Sequence, residues 1–382
     1  MRTRVVISIP YLGVGGAERM VSLLGSSIDQ ERFDVRVLCI YGDFLHNMME
    51  NELTCAGVRI DYLHKGLGLS PKAIFNVAKY MNDFKPDIIH THLASVFYCL
   101  PWAWLHGRKV IHTIHNTPEK EFRSPLREKI MRALYRTGAV IPVAISEMNR
   151  RLSAEFYGLP ACRIEMVVNP VKIDSIPASP ADADTKYDFI SVGRLVEQKN
   201  PMMLLRAMRT VCNRHPETSL AIVGDGPMMV ELRGLCSELG LDDNVTFLGV
   251  RDDVCLLLAQ SSIFVSSSDY EGLPMTMLEA MAACRPLVGT DVGGVADIIH
   301  DKENGIVVPK GDVYALAEAM TYLYENPDVA RVMGKAGRMI ALPYSTSNVA
   351  EQYEFLYNKY AKRPQKYQIR VPLLYHCTNR WS

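Results

Sequence analysis

Short runs of apolar and β-branched residues alternate with segments of helix length along most of the chain. In the first half such runs predict strands at residues 5–9, 35–40, 88–89, 109–113, 140–144 and 165–168. In the second half they predict strands at 189–192, 220–223, 245–248, 263–266 and 287–289. Strands that alternate with helices are typical of parallel α/β sheets. The pattern therefore predicts two doubly wound α/β domains that face each other across a cleft.

The alternation stops and restarts once, and this interruption sets the expected domain boundaries. We expect a first Rossmann-like domain over residues 1–175, on the acceptor side, and a second over 187–342, with a linker rich in Pro, Ala, Ser and Asp at 176–186. Helical segments are predicted at 315–324, 329–340 and 348–361. The last of them, within residues 343–361, is expected to pack back on the first domain, and the tail at 362–382 is expected to be disordered or to serve in an interaction.

Composition narrows the class of protein. Of the 382 residues, 48% are hydrophobic, and Lys plus Arg equals Asp plus Glu at 42 each, so the chain has no overall bias toward nucleic acid. The nine cysteines form no C-x-x-C pair, which favours a reducing cytoplasm. No stretch approaches the roughly 18 apolar residues of a membrane-spanning helix. We expect a cytoplasmic protein whose contact with a membrane is peripheral.

A glycine-rich turn, Gly13 to Arg19, follows the first predicted strand and opens a helix. Its small residues, Gly15 and Gly16 among them, leave backbone N–H groups open to an anionic phosphate. The spacing is not the dinucleotide fingerprint G-x-G-x-x-G. Taken alone, the turn is equally consistent with an ordinary tight connection.

Three more glycine-rich turns follow predicted strands of the second half; they contain Gly193, Gly224 with Gly226, and Gly293 with Gly294. Ligands of open α/β sheets bind at the carboxyl ends of strands, where these turns lie. The first turn also carries Arg194 and Lys199, two cations that suit a diphosphate, although loop cations are more often simply solvated. Several phosphate-suited turns on one sheet edge favour an anionic ligand.

Two carboxylates stand eight residues apart in the segment from Ser266 to Ala280. Glu271 lies at the end of a polar loop, and Glu279 lies inside a mostly apolar helix that begins near Pro274. A buried carboxylate needs hydroxyl or cationic partners, and a ribose diol is one of them. A capping or salt-bridged structural role for Glu279 is about equally consistent with this segment alone.

Four histidines are expected near the crevice in the first domain: His90 and His92 after one strand, and His112 and His115 at the end of another. His115, which precedes Asn116 and Thr117, is the first candidate for catalysis or acceptor contact. The histidines come in two separated pairs without a carboxylate at ligand spacing, so we expect no metal site.

The segment at 119–136 carries six basic residues around apolar residues at helical spacing. Such a helix is suited to docking on anionic lipid headgroups. Three glutamates dilute its charge, so an ordinary solvated amphipathic helix is the alternative.

Together these motifs resemble glycosyltransferase family 4, also described as glycosyl transferases group 1, over residues 4–361. The family's G-G-A-E-R turn corresponds to Gly15–Arg19, its G-R-L-x-x-x-K segment to Gly193–Lys199, and its E-x7-E element to Glu271 and Glu279. The three elements occur in the expected order. The resemblance implies the two-domain GT-B fold.

The resemblance also implies roles for individual residues. Arg194 and Lys199 would neutralise the donor diphosphate, Glu271 would hold sugar hydroxyls, Glu279 would hold the ribose, and His115 would lie in the catalytic pocket. Softer implied contacts to the donor come from backbone at Gly249 and Val250 near the nucleobase, at Gly272 and Leu273 beside Glu271, and at Gly293 and Gly294 near the phosphates.

The chain departs from one common form of the family, because Gln198-Lys199-Asn200 stands where a lysine–glycine pair is frequent. The positive charge is kept, so only the loop geometry is affected.

The expected activity is retaining, metal-independent transfer of a hexose or N-acetylhexosamine from a nucleotide-diphosphate sugar, UDP favoured, to a glycan or polyprenyl-linked acceptor in surface polysaccharide biosynthesis. No cofactor and no nucleic-acid partner are expected, because the nucleotide sugar is a substrate. A catalytically silent sugar-nucleotide-binding subunit and a sugar-nucleotide epimerase are the alternatives, since one fold serves many chemistries.

Overall fold

The computed structural model describes residues 2–13, 15–42, 48–66, 70–122, 124–178 and 185–361. Four predictions therefore fall wholly or partly outside the described residues: Val14 of the first glycine turn, Arg123 of the basic segment at 119–136, positions 179–184 of the linker, and the tail at 362–382.

Thirteen strands are found in the described residues, and all their pairings are parallel. The strands are β1 (Thr3–Ile9), β2 (Phe33–Cys39), β3 (Arg59–Tyr62), β4 (Ile88–His92), β5 (Val110–Ile114), β6 (Val140–Ala144), β7 (Glu165–Met166), β8 (Tyr187–Val192), β9 (Leu220–Val223), β10 (Val245–Gly249), β11 (Ser261–Ser266), β12 (Leu287–Thr290) and β13 (Gly305–Val308). The first sheet has the order β3-β2-β1-β4-β5-β6-β7 and the second β10-β9-β8-β11-β12-β13. The predicted pair of doubly wound α/β domains is confirmed.

Helices cover both faces of each sheet. They are α1 (Gly16–Ser27), α2 (Met48–Cys55), α3 (Pro71–Phe84), α4 (Val96–Leu105), α5 (Pro118–Glu121), α6 (Pro125–Thr137), α7 (Glu147–Tyr157), α8 (Pro201–Arg214), α9 (Met229–Glu238), α10 (Val254–Ala259), α11 (Met275–Ala282), α12 (Val313–Glu325), α13 (Pro327–Ala341) and α14 (Thr346–Tyr360). Within the described part of the chain, none of them combines the length and the apolar character needed to cross a bilayer.

The central strands are buried on both faces, as their continuous apolar runs predicted. Residues Val5 to Ile9 of β1 have no exposed surface, and β1 lies between β2 and β4. In the second domain β8 has the same position between β9 and β11. Each sheet therefore changes direction beside its first strand, and this switch point is where ligands of such folds bind.

Two edge strands, β3 and β13, are missing from the sequence prediction. Each has four residues, and β3 is partly or fully exposed along its whole length. β3 lacks the continuous apolar run by which the buried strands were identified, whereas β13 has a run of only three residues, Ile306 to Val308. β4 is also longer than predicted, because His90 and His92 belong to the strand and do not follow it.

The chain crosses between the domains twice, and the two crossings lie side by side. Val171 donates its N–H to the carbonyl of Tyr344 at 2.7 Å, and Thr346 donates to the carbonyl of Val171 at 3.2 Å. After the second crossing α14 packs against the first domain. The Tyr357 hydroxyl lies 2.8 Å from His90 Nδ1, and Tyr353 also reaches into that core. The first domain is thus completed by the end of the described chain.

Candidate active site

A pocket lies at the carboxyl ends of β8 and β11 in the second domain. The residues that line it include Gly193, Arg194, Lys199, Ser266, Ser267 and Ser268. They come from the two strands on either side of the switch point and from the turn that follows β8. The pocket therefore occupies the position at which a doubly wound sheet binds its ligand.

Lys199 and Glu271 form an ion pair in this pocket. Nζ of Lys199 contacts Oε1 of Glu271, and the Ser268 hydroxyl donates to the same oxygen at 2.7 Å. Glu271 is almost fully buried, whereas the Lys199 side chain is 27% exposed. The buried carboxylate is thus satisfied by a cation and a hydroxyl, and the lysine still reaches the crevice.

Arg194 is exposed and makes no ion pair within the described residues. Its positive charge faces Tyr11 and Glu18, which flank the glycine turn of the first domain. Burial raises the pKa of the Glu18 carboxyl, while a backbone hydrogen bond and the charge of Arg194 act in the opposite direction. The turn and the cation therefore lie on opposite walls of one crevice.

The first-domain turn lies close to the second domain. A Cβ at Gly15 would collide with the Glu18 carboxylate of the same helix, and a Cβ at Gly16 would lie 3.7 Å from Met275, the first residue of α11. Gly15 has an extended conformation, with φ −174°, and immediately precedes α1. The amino-terminal end of α1 is thus next to α11, at a distance where a Cβ on Gly16 would make ordinary van der Waals contact.

One glycine turn of the second domain, at Gly224 and Gly226, packs on the turn after β8. Gly224 has φ +131°, a Cβ there would overlap the carbonyl of Gly193, and a Cβ at Gly226 would overlap the carbonyl of Leu195. Glycine is required at these positions because neighbouring backbone occupies the space beside each Cα. The close packing fixes the turn that carries Arg194.

The loop that follows β11 is enclosed in the same way. A Cβ at Gly272 would overlap the carbonyl oxygen of His115, one at Gly293 would overlap that of Glu271, and one at Gly294 would overlap that of Gly272. Gly294 also donates its N–H to the Gly272 carbonyl at 2.9 Å. His115 of the first domain and Glu271 of the second are thereby brought to adjacent positions.

The other predicted contacts lie around this loop and at one sheet edge. Leu273 is buried, and its carbonyl accepts a hydrogen bond from Asn169 Nδ2 at 2.9 Å. Gly249 has φ +67° with open space beside its Cα, and its carbonyl accepts from Gly224 N–H at 2.7 Å. Val250 is exposed. The segment from Gly249 to Val250 thus forms an accessible backbone edge next to the Gly224 turn.

Glu279 is buried and is paired across the domain boundary. Arg19 of α1 lies 3.7 Å from its Oε1 and also forms a 2.8 Å ion pair with Glu52 of α2. Burial raises the pKa of Glu279, and Arg19 opposes that shift. Glu52 in turn accepts from Ser22 at 2.8 Å and pairs with Lys172 at 3.3 Å. The structure therefore contains the salt bridge that the sequence left open as a structural role for Glu279, and the partner, Arg19, comes from the other domain.

Three of the four histidines form a connected group behind the crevice, whereas His112 contacts Thr91 and Phe122. His92 Nδ1 lies 2.8 Å from His115 Nε2, and the rings of His90 and His92 are 4.2 Å apart. Burial lowers the pKa of His90 and His92 well below the usual value and lowers that of His115 to about 4. These three imidazoles are neutral at pH 7. His115 is partly accessible, and none of the described residues hydrogen-bonds to its Nδ1.

The basic segment at 119–136, predicted as one helix, is divided between α5 and α6. Arg127 lies over the ring of Phe97 and Arg132 over that of Phe156, so both charges are held against the protein. Leu126 and Ile130 are exposed. Elsewhere, the described residues contain no group of three or more His, Cys, Asp or Glu that could hold a metal ion.

Sequence reasoning missed several contacts around the site: those of Arg19, Glu52, Ser268 and Glu121. Arg19 was visible as part of the glycine-turn motif, but its partners come from α2 and α11, which are distant in sequence. Glu121 follows His115 by only six residues, and the carboxylate accepts the backbone N–H groups of His115 and Asn116 at 3.1 and 2.9 Å. The position of Glu121 close to His115 in the sequence was the signal that could have found it.

Two parallel sheets with a glycine-lined, partly cationic crevice between them define a glycosyltransferase of the GT-B type. Sequence profiles of protein families agree with that class: Glycosyltransferase Family 4 matches residues 14–175, and Glycosyl transferases group 1 matches residues 172–339. The chain belongs to this family of glycosyltransferases.

Two relatives with named activities match most of the chain. A UDP-Gal:alpha-D-GlcNAc-diphosphoundecaprenol alpha-1,3-galactosyltransferase of Escherichia coli is 24% identical over 346 residues, which is 84% of this chain and 88% of the relative. A GalNAc-alpha-(1->4)-GalNAc-alpha-(1->3)-diNAcBac-PP-undecaprenol alpha-1,4-N-acetyl-D-galactosaminyltransferase of Campylobacter jejuni is 23% identical, over 92% of this chain and 97% of its own length.

Solved structures support the same fold. The crystal structure of Anabaena HepE in complex with UDP-glucose superposes with a TM-score of 0.80 at 19% identity, covering 93% of this chain and 99% of that one.

At Gln198-Lys199-Asn200, where the family frequently has a lysine–glycine pair, asparagine takes the backbone conformation of the glycine. Asn200 adopts φ +43°, in the left-handed region that glycine enters freely and asparagine tolerates. Its side chain also accepts the N–H of Met203 at 3.2 Å, which caps α8, and donates to Asp269 at 3.2 Å. Asparagine thus preserves a glycine-like turn beside Lys199 and adds a helix cap.

Replacing Asn200 by alanine and by glycine should isolate the cost of its left-handed backbone. We expect Asn200→Ala to lower the free energy of unfolding by about 1 kcal/mol more than Asn200→Gly, because both variants lose the side-chain cap and only alanine is strained at positive φ. Differential scanning calorimetry would measure the difference, with Asn51→Ala at an exposed helical position as the control. A glycine variant that is less stable than the alanine variant would contradict this account.

Proposed function

We propose that this glycosyltransferase moves a hexose or N-acetylhexosamine from a UDP-sugar to a glycan or lipid-linked acceptor in surface polysaccharide biosynthesis, with retention of anomeric configuration and without a metal. The observation that supports it most is the crevice in which exposed Arg194 and the Lys199–Glu271 pair of one domain face the glycine turn of the other. Cations and backbone N–H groups that converge in this way suit a diphosphate.

The donor would occupy the crevice along the second domain. Arg194 and Lys199 would neutralise the diphosphate, and Lys199 would then divide its charge between the phosphate and Glu271. Glu271, which Ser268 holds at 2.7 Å, would accept hydrogen bonds from sugar hydroxyls. Glu279 would take the ribose hydroxyls while it remains near Arg19. The open backbone at Gly249 and Val250 would meet the nucleobase.

Charge stabilisation of the leaving diphosphate is the chemical task that a metal performs in many phosphate-handling enzymes. Here two cations and the amino-terminal end of α1 are placed to perform it, because preorganised donors stabilise charge that develops in the transition state. Metal independence is the part of the proposal that depends on Arg194 most directly.

Two similarities favour a UDP-sugar and a lipid-linked acceptor. The Anabaena structure contains UDP-glucose, and the Escherichia coli and Campylobacter jejuni relatives are named for undecaprenol-linked acceptors. The acceptor would enter from the first domain, where His115 lies next to the sugar-binding loop. A neutral imidazole there can donate or accept a hydrogen bond without adding charge.

Retention is proposed to proceed by front-face attack, in which the departing phosphate takes the proton of the acceptor hydroxyl. Glu271 is already engaged by Lys199 and Ser268, so it is better placed to bind hydroxyls than to act as a nucleophile. Closure of the crevice would keep water from the donor.

Donor binding can be tested by thermal shift with UDP-, GDP- and ADP-sugars, each with and without EDTA. We expect a UDP-sugar to raise the melting temperature of the wild type regardless of EDTA, because a ligand that binds the folded state stabilises it. The shift should shrink in Glu279→Ala and persist in Glu238→Ala, an exposed control on α9. A shift that EDTA abolishes would refute metal independence, and no shift with any donor would favour the silent-subunit alternative.

Stereochemistry can be tested on the product once the donor is known. We expect an α-configured UDP-sugar to yield an α-linked product, which the anomeric proton coupling in an NMR spectrum reports. Intact-protein mass spectrometry of the quenched reaction should show no glycosylated enzyme. A β-linked product, or a sugar covalently attached at Glu271, would overturn the front-face mechanism, and isomerised donor without transfer would favour the epimerase alternative.

Peripheral contact with the cytoplasmic face of a membrane is the remaining part of the proposal. On α6 the side chains of Leu126 and Ile130 are 68% and 40% exposed, and Lys129 and Arg136 are exposed beside them. Apolar side chains flanked by cations are the combination that binds anionic lipid surfaces. A lipid-linked acceptor would be presented at such a surface.

Replacing both Leu126 and Ile130 by serine should weaken membrane binding. We expect at least a roughly tenfold lower affinity for vesicles of phosphatidylglycerol and phosphatidylcholine, because each apolar side chain contributes on the order of 1 kcal/mol when buried in lipid. Co-sedimentation measures the change, and Val332→Ser, exposed on α13, is the control. Equal binding by variant and wild type, or no binding by the wild type, would refute this contact.

A further inference from the structure

Glu121 is a fully buried carboxylate behind the catalytic pocket, and none of the donor-binding motifs includes it. It ends α5, and its side chain has no exposed surface. One oxygen, Oε2, accepts the backbone N–H groups of His115 at 3.1 Å and Asn116 at 2.9 Å. That oxygen therefore holds the turn from which the His115 side chain projects.

The other carboxylate oxygen faces His112. Oε1 of Glu121 lies 3.7 Å from Nε2 of His112, and neither atom has another partner among the described residues. The His112 ring is also fully buried and stacks on Phe122, with ring centroids 5.5 Å apart. Two buried polar atoms thus have only each other.

The hydrogen bonds of Thr91 bear on which nitrogen of His112 donates. The Thr91 hydroxyl oxygen is 2.9 Å from His112 Nδ1 and 3.1 Å from the carbonyl of Ile111. If the hydroxyl donates to His112, Nε2 carries the ring proton and an N–H group faces Oε1 of Glu121. If it donates to Ile111, Nδ1 donates to Thr91 and Nε2 faces Oε1 as an acceptor. The first arrangement is favoured, because a buried carboxylate oxygen needs a donor opposite it.

The turn that Glu121 holds makes two contacts that matter for the reaction. The His115 imidazole meets His92 at 2.8 Å, and the His115 carbonyl packs against Gly272, beside Glu271. Asn149 fixes the far side of the turn by donating to the Asn116 carbonyl at 2.8 Å. A displacement of this turn would move His115 relative to the sugar-binding carboxylate.

We propose that His112 and Glu121 are a positioning pair that acts on transfer through His115. The pair does not touch the donor: it fixes the backbone of the turn and thereby the place of the imidazole at the reacting centre. The inference rests on the proposed function, since the rate of sugar transfer is its readout.

Glu121→Gln is the sharpest substitution, because the side chain keeps its shape while one oxygen becomes an NH2 group. If the NH2 group faces the backbone, a donor opposes the N–H groups of His115 and Asn116. If it faces His112, the ring must take the tautomer in which Nδ1 donates to Thr91, and the two backbone N–H groups lose the charged acceptor that held them. We expect kcat to fall by about 10- to 100-fold, because a small misplacement of a reacting group slows a reaction by that order. The donor KM should stay within about twofold of the wild-type value. Glu119→Gln, exposed on the same helix, should leave both unchanged.

A double-mutant cycle with His115→Ala then tests whether Glu121 acts through His115. In the His115→Ala background, measured at high enzyme concentration, Glu121→Gln should reduce kcat by less than twofold, because the group that it positions is already gone. Losses that multiply in the double variant would overturn the proposal, and so would an unchanged kcat or a donor KM that rises in step with the loss of kcat. If Glu121→Gln does not fold, Thr91→Val, which removes the hydroxyl bound to His112, takes its place in the same cycle.

The failure of this inference can be told apart from failure of the proposed function. A wild-type protein that neither transfers nor hydrolyses any nucleotide sugar would refute the proposed function. Wild-type transfer together with multiplicative losses would refute the positioning role of Glu121 alone.

Discussion

The backbone contacts of the loop at Glu271 and Gly272 are the constraint on which the site depends. This loop is enclosed by the His115 carbonyl from the first domain and by Gly293 and Gly294 from the second, with no space for a Cβ at any of the three glycines. Side-chain contacts can adjust by rotation, whereas a backbone contact of this kind fixes position. The contact between the His115 carbonyl and Gly272, which joins the two domains at this loop, therefore requires a residue without a side chain.

The charges are distributed unequally between the two walls of the crevice. In the second domain Arg194 and Lys199 supply positive charge, and in the first domain three histidines are kept neutral because burial lowers their pKa. An anionic ligand is therefore attracted to one wall, while the other offers hydrogen bonds without competing for the phosphate. This asymmetry suits a reaction in which negative charge builds up on one side of the broken bond.

The sequence predicted structure well where a short run of one kind of residue determines the local conformation. The apolar runs predicted the buried strands, and the glycine-rich turns predicted the edge at which the site would lie. The short strand β3 was missed because its residues are partly exposed and carry no continuous apolar pattern, whereas β13 was missed although it has a short apolar run from Ile306 to Val308. The partners of Glu279 and His112 were out of reach as well, since Arg19 and Glu121 meet them only through the tertiary fold.

The paired crossings at Val171 and Tyr344–Thr346 limit how the two domains can move. Both passages of the chain are joined by backbone hydrogen bonds at one place, so this place can serve as the hinge between the domains. Opening must then be a rotation about that point, since sliding would break both hydrogen bonds at once. In such a rotation the residues farthest from the hinge move the greatest distance when the crevice opens. The residues next to the hinge keep the contacts that they make in the closed crevice.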